Sequence, residues 1–562
     1  MKVVMTTWMG WIRIMLLVCM MMVVVVRGEE ERMCFPKEFM VGTATAAYQV
    51  EGGWNSTGRT PSIWDTFCRS RENVECANVA DDFYHRYPLD IQERMVGLSH
   101  FRFSFSWSRV MTWNATIQRM QPNPEGISFY KDLLQQLHTA NIQPVVTMYH
   151  WDLPQALLDN VDGGWTSPNI VSHFEQYANL LYQEYGSMIQ YWSTFNEPWT
   201  FTLLGYDIGV HAPGYYHQAY LAGHYVLLSH AAAVQAFRSS PYIDTNTHKI
   251  SMVLNVDYGF PLNPQSPQDM ELVERKMQFT LGWFLHPLLT GDYPAVMKEY
   301  IMPIVNFTKE QSQALKGSLD LFMLNHYSST VITSCNGPNS TLASCNDLPA
   351  GWYRDLGVDM SRFPKGAKLS STNAQGQRNC GWFSGVPSGY RQVIRWMHQQ
   401  DTTKDIFLTE NGWCGNTTID NTDQLWYYQS YLKEVYQAWK VDNIPIIGYT
   451  AWSLLDNYEW GSFEPRFGLY YVQYPPQTGS KQGYTPKPTD LKRIPRPAAH
   501  YIHHVADTKC INTFPTKTTK TTIWNTKSRL IVVVISILAA IATVIYYHNY
   551  KKRTHTYAVI TD

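Results

Sequence analysis

The sequence predicts an α/β fold, a single (β/α)8 (TIM) barrel with loop insertions, on three observations. Short apolar runs, eight in all, alternate with amphipathic helical stretches. Most of the runs are continuously apolar rather than alternating, the pattern of parallel strands covered on both faces. Polar residues gather where the runs end, and in a closed barrel all those ends share one face and surround one pocket. An open doubly wound sheet would show the same alternation, but no Gly-rich dinucleotide or phosphate fingerprint follows any run.

In chain order the runs are Phe39 to Ala44, His100 to Phe105, Pro144 to Tyr149, Ile189 to Phe195, Ile250 to Val256, Leu319 to Asn325, Ile406 to Thr409 and Ile446 to Trp452. Between them, a stretch such as Tyr130 to Leu137 spaces its apolar residues for one helical face. Gln49 lies just past the first run, and Arg102 and Ser104 are on the second. His150-Trp151-Asp152 follows the third, Asn196-Glu197 ends the fourth, Asn325-His326-Tyr327 the sixth, Glu410-Asn411 the seventh and Trp452 the eighth. A lone residue of this kind is most simply a cap or a satisfied core group. The same decoration on seven of eight runs points to a site.

The chain has 562 residues, is 45% hydrophobic and carries a formal net charge of −1. That balance gives no footprint for nucleic acid or an anionic membrane surface. Lys2 and Arg13 precede the apolar run Ile14 to Val26, so residues 1–28 read as a signal peptide with cleavage near Gly28, an uncleaved anchor being the alternative because Arg27-Gly28 is not a good small-x-small site. The barrel is expected over 33–508, followed by a Thr/Lys-rich linker over 511–529. Residues 530–547 carry no charge and are long enough to span a bilayer as one transmembrane helix. Lys551-Lys552-Arg553 then marks 548–562 as a cytoplasmic tail. The expected protein is thus a single-pass type I membrane protein with its barrel extracellular or lumenal. Eight cysteines lie outside the leader, and Cys68/Cys76 and Cys335/Cys345 are spaced to close small disulfide loops. No C-x-x-C pair occurs, so no metal site is expected. Asn55, Asn114, Asn306, Asn339 and Asn416 head N-x-S/T sequons, which suit the same compartment.

Glu197 sits where a β-like run stops, because Pro198 removes a backbone donor. Glu410 closes the seventh run, with Gly412 for a sharp turn beyond it. Strands four and seven stand across a barrel from one another, and two carboxyls facing over a pocket suit cleavage of a glycosidic bond. Arg102 and Tyr327 are expected near Glu410, where a cation and a phenol would favour the ionised nucleophile. Trp199 and Phe195 are expected to desolvate Glu197 and raise its pKa, as a general acid requires. Asn196 can donate to the sugar hydroxyl next to the reacting carbon. Trp452, Glu459 and Trp460 form a sugar cradle after strand eight, with Gln49, His150 and Trp151 adding polar contacts.

These residues lie in blocks that resemble family 1 glycoside hydrolases, the retaining β-glycosidases. The blocks are FMVGTATAAYQVEG at 39–52, FRFSFSWSR at 101–109, YHWDLP at 149–154, TFNEP at 194–198, TENG at 409–412 and WSLLDNYEWGSFEPRFG at 452–468. The resemblance covers Phe35 to about Val505 and implies a (β/α)8 barrel with no cofactor. It implies Glu197 as acid/base, Glu410 as nucleophile, and Gln49, His150, Asn196, Glu459 and Trp460 as sugar contacts. Trp452 would be the stacking platform, and Asn325 and Tyr327 would orient the nucleophile. Myrosinase-like members carry Gln where this chain has Glu197, and members acting on phosphorylated sugars lack Glu459, so neutral O-β-glycosides are implied. A β-glucoside is the first expectation, with galactosides and fucosides open because Glu459 and Gln49 can bond either epimer. Met323 departs from the family, which usually has Gly there. The rival reading is a klotho-like surface receptor subunit whose barrel binds a partner; such barrels have lost a catalytic carboxylate, and this chain keeps both.

Overall fold

The computed structural model describes residues 32–301, 305–515, 541–546 and 548–549. The chain divides into two units between Asn512 and Thr513. The first is built on a closed barrel of eight parallel strands: β1 Met40–Ala44, β2 His100–Ser104, β3 Gln143–Tyr149, β4 Tyr191–Asn196, β5 Lys249–Asn255, β6 Phe322–Asn325, β7 Ile406–Asn411 and β8 Ile446–Trp452. Neighbours in the barrel are neighbours in sequence, and β1 closes on β8 with Ala44 opposite Trp452. Seven of the eight expected runs shift by one to three residues at an end, and β7 continues to Asn411, carrying Glu410 inside the strand.

The strands are buried along nearly their whole length because helices cover the outside and side chains fill the inside. Val145, Val253, Leu321, Met323 and Phe407 form one apolar layer, joined by Met40, Tyr191 and Ile447. Met323 is therefore a core residue whose thioether fills the barrel interior. The helix Pro124–Thr139 shows why the intervening stretches are helical. Pro124 starts it, where its missing N–H costs nothing. Phe129, Tyr130, Leu133, Leu134 and Leu137 recur on one face and are buried.

One insertion matters for the site. Ser329–Ser334 pairs with Tyr258–Pro261 and with Val358–Arg362 in a three-stranded sheet beyond β5 and β6. Four disulfides join Cys34–Cys510, Cys68–Cys76, Cys335–Cys345 and Cys380–Cys414. The first closes a loop of almost the whole unit, and the last ties the segment bearing Trp382 to the residues just after β7. Of the sequon residues, Asn55, Asn306 and Asn339 are exposed, whereas Asn114 and Asn416 are half-buried and donate their amides to Gln121 and to the backbone of Thr372.

The expected leader lies outside the described residues, as does most of the expected span 530–547, of which 541–546 is described as helix. Among the described residues no helix is long and apolar enough to cross a membrane.

Candidate active site

Glu197 follows β4 with φ 48° and ψ 62°, a left-handed conformation that is unfavourable for a residue with a Cβ. Pro198 then opens the helix Pro198–Tyr206 rather than only ending the strand. The bend turns the carboxyl into a cavity of about 730 Å3 at the C-terminal mouth of the barrel. Asn325 Nδ2 donates to Glu197 Oε1 at 2.8 Å, and Thr200 Oγ1 donates to Oε2 at 2.9 Å. Burial first, and then the nearby charge of Glu410, push this carboxyl up to about 8, so it keeps its proton at neutral pH. Trp199 lines the cavity as expected of it. Phe195 does not: an irregularity in β4 between Ser193 and Asn196 breaks the alternation that keeps Tyr191 inside and turns Phe195 outward, where its ring packs on Phe174 at 4.6 Å and Trp165 at 5.2 Å.

Glu410 faces the same cavity from β7. Arg102 Nη1 on β2 donates to its Oε1, and Tyr327 OH donates to its Oε2 at 2.7 Å. Arg102 is 1% exposed, so its charge is spent on this buried network rather than on water. Gly412 is required by a close approach more than by a turn: a Cβ there would come within 2.0 Å of the Trp452 carbonyl oxygen.

The remaining side chains share donors and acceptors in a way that fixes what is left for a ligand. Asn196 Oδ1 accepts from Arg102 Nη2 at 2.7 Å and from Asn325 Nδ2 at 3.1 Å. Its amide nitrogen is 3.2 Å from His150 Nε2. That nitrogen of His150 must accept, which leaves the proton on Nδ1, where no protein partner is found. Burial holds His150 well below its ordinary pKa, hence neutral. Gln49 commits its amide nitrogen to Asn457 at 2.9 Å and to the Tyr458 carbonyl at 2.7 Å, leaving Oε1 unpartnered. Trp452 Nε1 donates to Glu459 Oε1 at 3.3 Å, and burial raises the Glu459 carboxyl well above its ordinary range. The rings of Trp452 and Trp460 stand nearly parallel to His150, 5.9 and 5.8 Å from it.

His150, Trp151, Asn196, Glu197, Tyr327, Glu410, Trp452, Glu459 and Trp460 all line the cavity, whereas Gln49, Arg102 and Asn325 do not. Two site residues escape the sequence reading. Thr200 bonds Glu197 from the first turn of the following helix, and Asn255, at the end of β5, donates to Thr200 Oγ1 at 2.8 Å. Asn255 is the polar strand end that the fifth run had seemed to lack. Its signal was present in the sequence at the place where the other seven were found. Among the described residues no group of three or more His, Cys, Asp or Glu side chains is placed to hold a metal ion.

A (β/α)8 barrel whose mouth sets one protonated carboxyl against another held by a guanidinium and a phenol defines a glycoside hydrolase. The chain belongs to glycosyl hydrolase family 1, whose model matches residues 31–510. It is 35% identical over 476 residues to Beta-glucosidase 26, peroxisomal, of Arabidopsis thaliana, covering 79% of this chain and 82% of that one. It is also 35% identical over 474 residues to Myrosinase 1 of Brevicoryne brassicae, covering 80% and 97%. Lactase-like protein of Homo sapiens is 35% identical over 466 residues, covering 78% of each chain. Among solved structures, aphid myrosinase superposes with a TM-score of 0.74 at 33% identity over 85% of this chain and 99% of that one. The β-glucosidase of the fungus Humicola insolens in complex with glucose gives 0.72 at 31% identity, covering 83% and 97%.

Proposed function

We propose that the barrel hydrolyses terminal non-reducing β-D-glycosides, β-glucosides first, by a retaining double displacement. The observation that carries this reading is the contrast between the two carboxyls across one cavity. Glu197 protonates the leaving oxygen while Glu410 attacks the anomeric carbon, giving a covalent glycosyl-enzyme and the free aglycone. Glu197 then takes a proton from water, which displaces Glu410 and restores both groups. Asn196 donates to the hydroxyl beside the reacting carbon, the Gln49 oxygen and Glu459 accept from outer hydroxyls, and Trp452 stacks on the ring. Arg102, Asn325 and Tyr327 position the carboxyls.

The soluble unit, secreted and purified, should release nitrophenol from 4-nitrophenyl β-D-glucoside and lose that activity in Glu410→Gln. Galactoside, fucoside and thioglucoside analogues rank the sugar and the leaving atom. Absence of cleavage of any aryl glycoside would sink the reading and favour the receptor-like alternative.

The four disulfides support an extracellular or lumenal setting. We further propose that residues 1–28 direct export and that 530–547 anchors the chain, on the charge-free length of that run. Resistance of the full chain to alkaline carbonate extraction, lost on truncation after Asn512, tests the anchor.

A further inference from the structure

The cavity has a polar side that the paired carboxyls and the sugar contacts leave unused. It lies beyond the ends of β5 and β6, against the three-stranded insertion sheet, and Asn255, Asp257, Lys276 and Thr330 line it. Lys276 is the one lysine or arginine on the cavity wall among the described residues. It sits near the end of the helix Pro267–Met277 and is 3% exposed. Its Nζ donates to the backbone oxygen of Asp257. The Asp257 carboxyl attracts it, but no carboxylate oxygen of the described residues closes a salt bridge with it. An ammonium has three donors, so this one keeps donors in hand. A buried cation of this kind is costly unless an anion meets it. Burial lowers the lysine to about 8 against the attraction of the Asp257 carboxyl. The hydroxyl of Thr330, on the same side, is buried without a partner. Trp199, whose ring meets the fully buried Trp352 edge to face at 5.1 Å, supplies a flat apolar wall of the same cavity.

We propose that this side of the cavity is an aglycone subsite for an aromatic aglycone bearing a carboxylate, with Lys276 as its charge partner and Thr330 as a second donor. The ring lies against Trp199, and the carboxylate replaces the water that the ammonium gave up on burial. The proposal rests on the glycosidase reading above and assigns the substrate class of that same site. Lys276 acts on the aglycone and takes no part in the bond-breaking steps.

The test compares kcat/KM for 4-carboxyphenyl β-D-glucoside with that for its methyl ester, in the wild type, Lys276→Met and Lys276→Arg. The acid-to-ester ratio should fall at least about tenfold in Lys276→Met, as for loss of a charged hydrogen bond, and be largely kept in Lys276→Arg. An unchanged ratio in Lys276→Met overturns the proposal, including the case in which both substrates slow equally because Lys276 only braces Asp257. Competition by free 4-hydroxybenzoate and its methyl ester against 4-nitrophenyl β-D-glucoside needs no variant. The acid should inhibit the wild type at least about tenfold better, and equal or weaker inhibition overturns the proposal. A wild type that cleaves no glycoside at all would instead remove the underlying reading.

Discussion

Asn325 Nδ2 stands 2.8 Å from Glu197 Oε1, and Asn325 is the register partner of Glu410 on the adjacent strand. One amide on β6 therefore ties the position of the Glu197 carboxyl to the strand that carries the opposing carboxyl. Glu197 owes its raised pKa to burial and to the charge of that neighbour.

The activity should show this in its pH dependence. A proton donor with a pKa of about 8 predicts that kcat/KM falls as pH rises through about 8. Glu410→Gln removes the charge that holds the proton on Glu197, so the Glu197 carboxyl should titrate lower in that variant. Carbon NMR of labelled glutamate reads the shift directly, and an unchanged or higher value would be inconsistent with the coupling described.

The roles of the two carboxyls are separable by rescue. Glu410→Gly supplied with azide should regain turnover on an activated aryl glucoside and give the α-glucosyl azide, with inverted configuration. A β-azide from this variant would reverse the assignment. Glu197→Gln with azide should give the β-azide.

Glu197 should also be a source of instability. Its folded pKa lies above its unfolded value of about 4.5, so between roughly 4.5 and 8 the native state binds the extra proton. That term therefore weakens the fold as pH rises through this window. Glu197→Gln, which mimics the protonated form, should melt at a temperature close to wild type near pH 4 and above it at pH 8. A gap that narrows with rising pH would refute the linkage.

The Cys34–Cys510 disulfide closes a loop of 476 residues and brings Met33 and Ile511 into backbone contact at 2.9 Å. A closure this long constrains the unfolded chain strongly, so Cys34→Ser should cost up to ~5 kcal/mol. Denaturant unfolding of the unit ending at Asn512 measures it. The kcat on aryl glucoside should be unaffected under native conditions, because the bridge joins the ends of the unit and does not line the cavity.

Much of this protein was legible in the sequence because barrel strands are buried on both faces and announce themselves as apolar runs. All eight strands were located, since their limits follow from where burial stops. Phe195 shows the limit of reading neighbours along a chain. It is adjacent to the site in sequence, yet an irregularity in β4 between Ser193 and Asn196 interrupts strand alternation and sends it to the outside of the barrel. Thr200 and Asn255 show the converse: each looked like an ordinary polar residue until the fold placed them in one chain of hydrogen bonds to Glu197.

The sequence by itself determined the order of the barrel strands and put Glu197, Glu410 and Trp452 at or near strand ends, because residue type and spacing are local properties. Tertiary structure alone decided which partners each carboxyl has, that Gln49 and His150 each keep one atom uncommitted, and that Lys276 reaches the cavity from a helix after β5. Those facts depend on distances between residues tens to hundreds apart in the chain, and on a burial that removes water from groups whose charge would otherwise be screened.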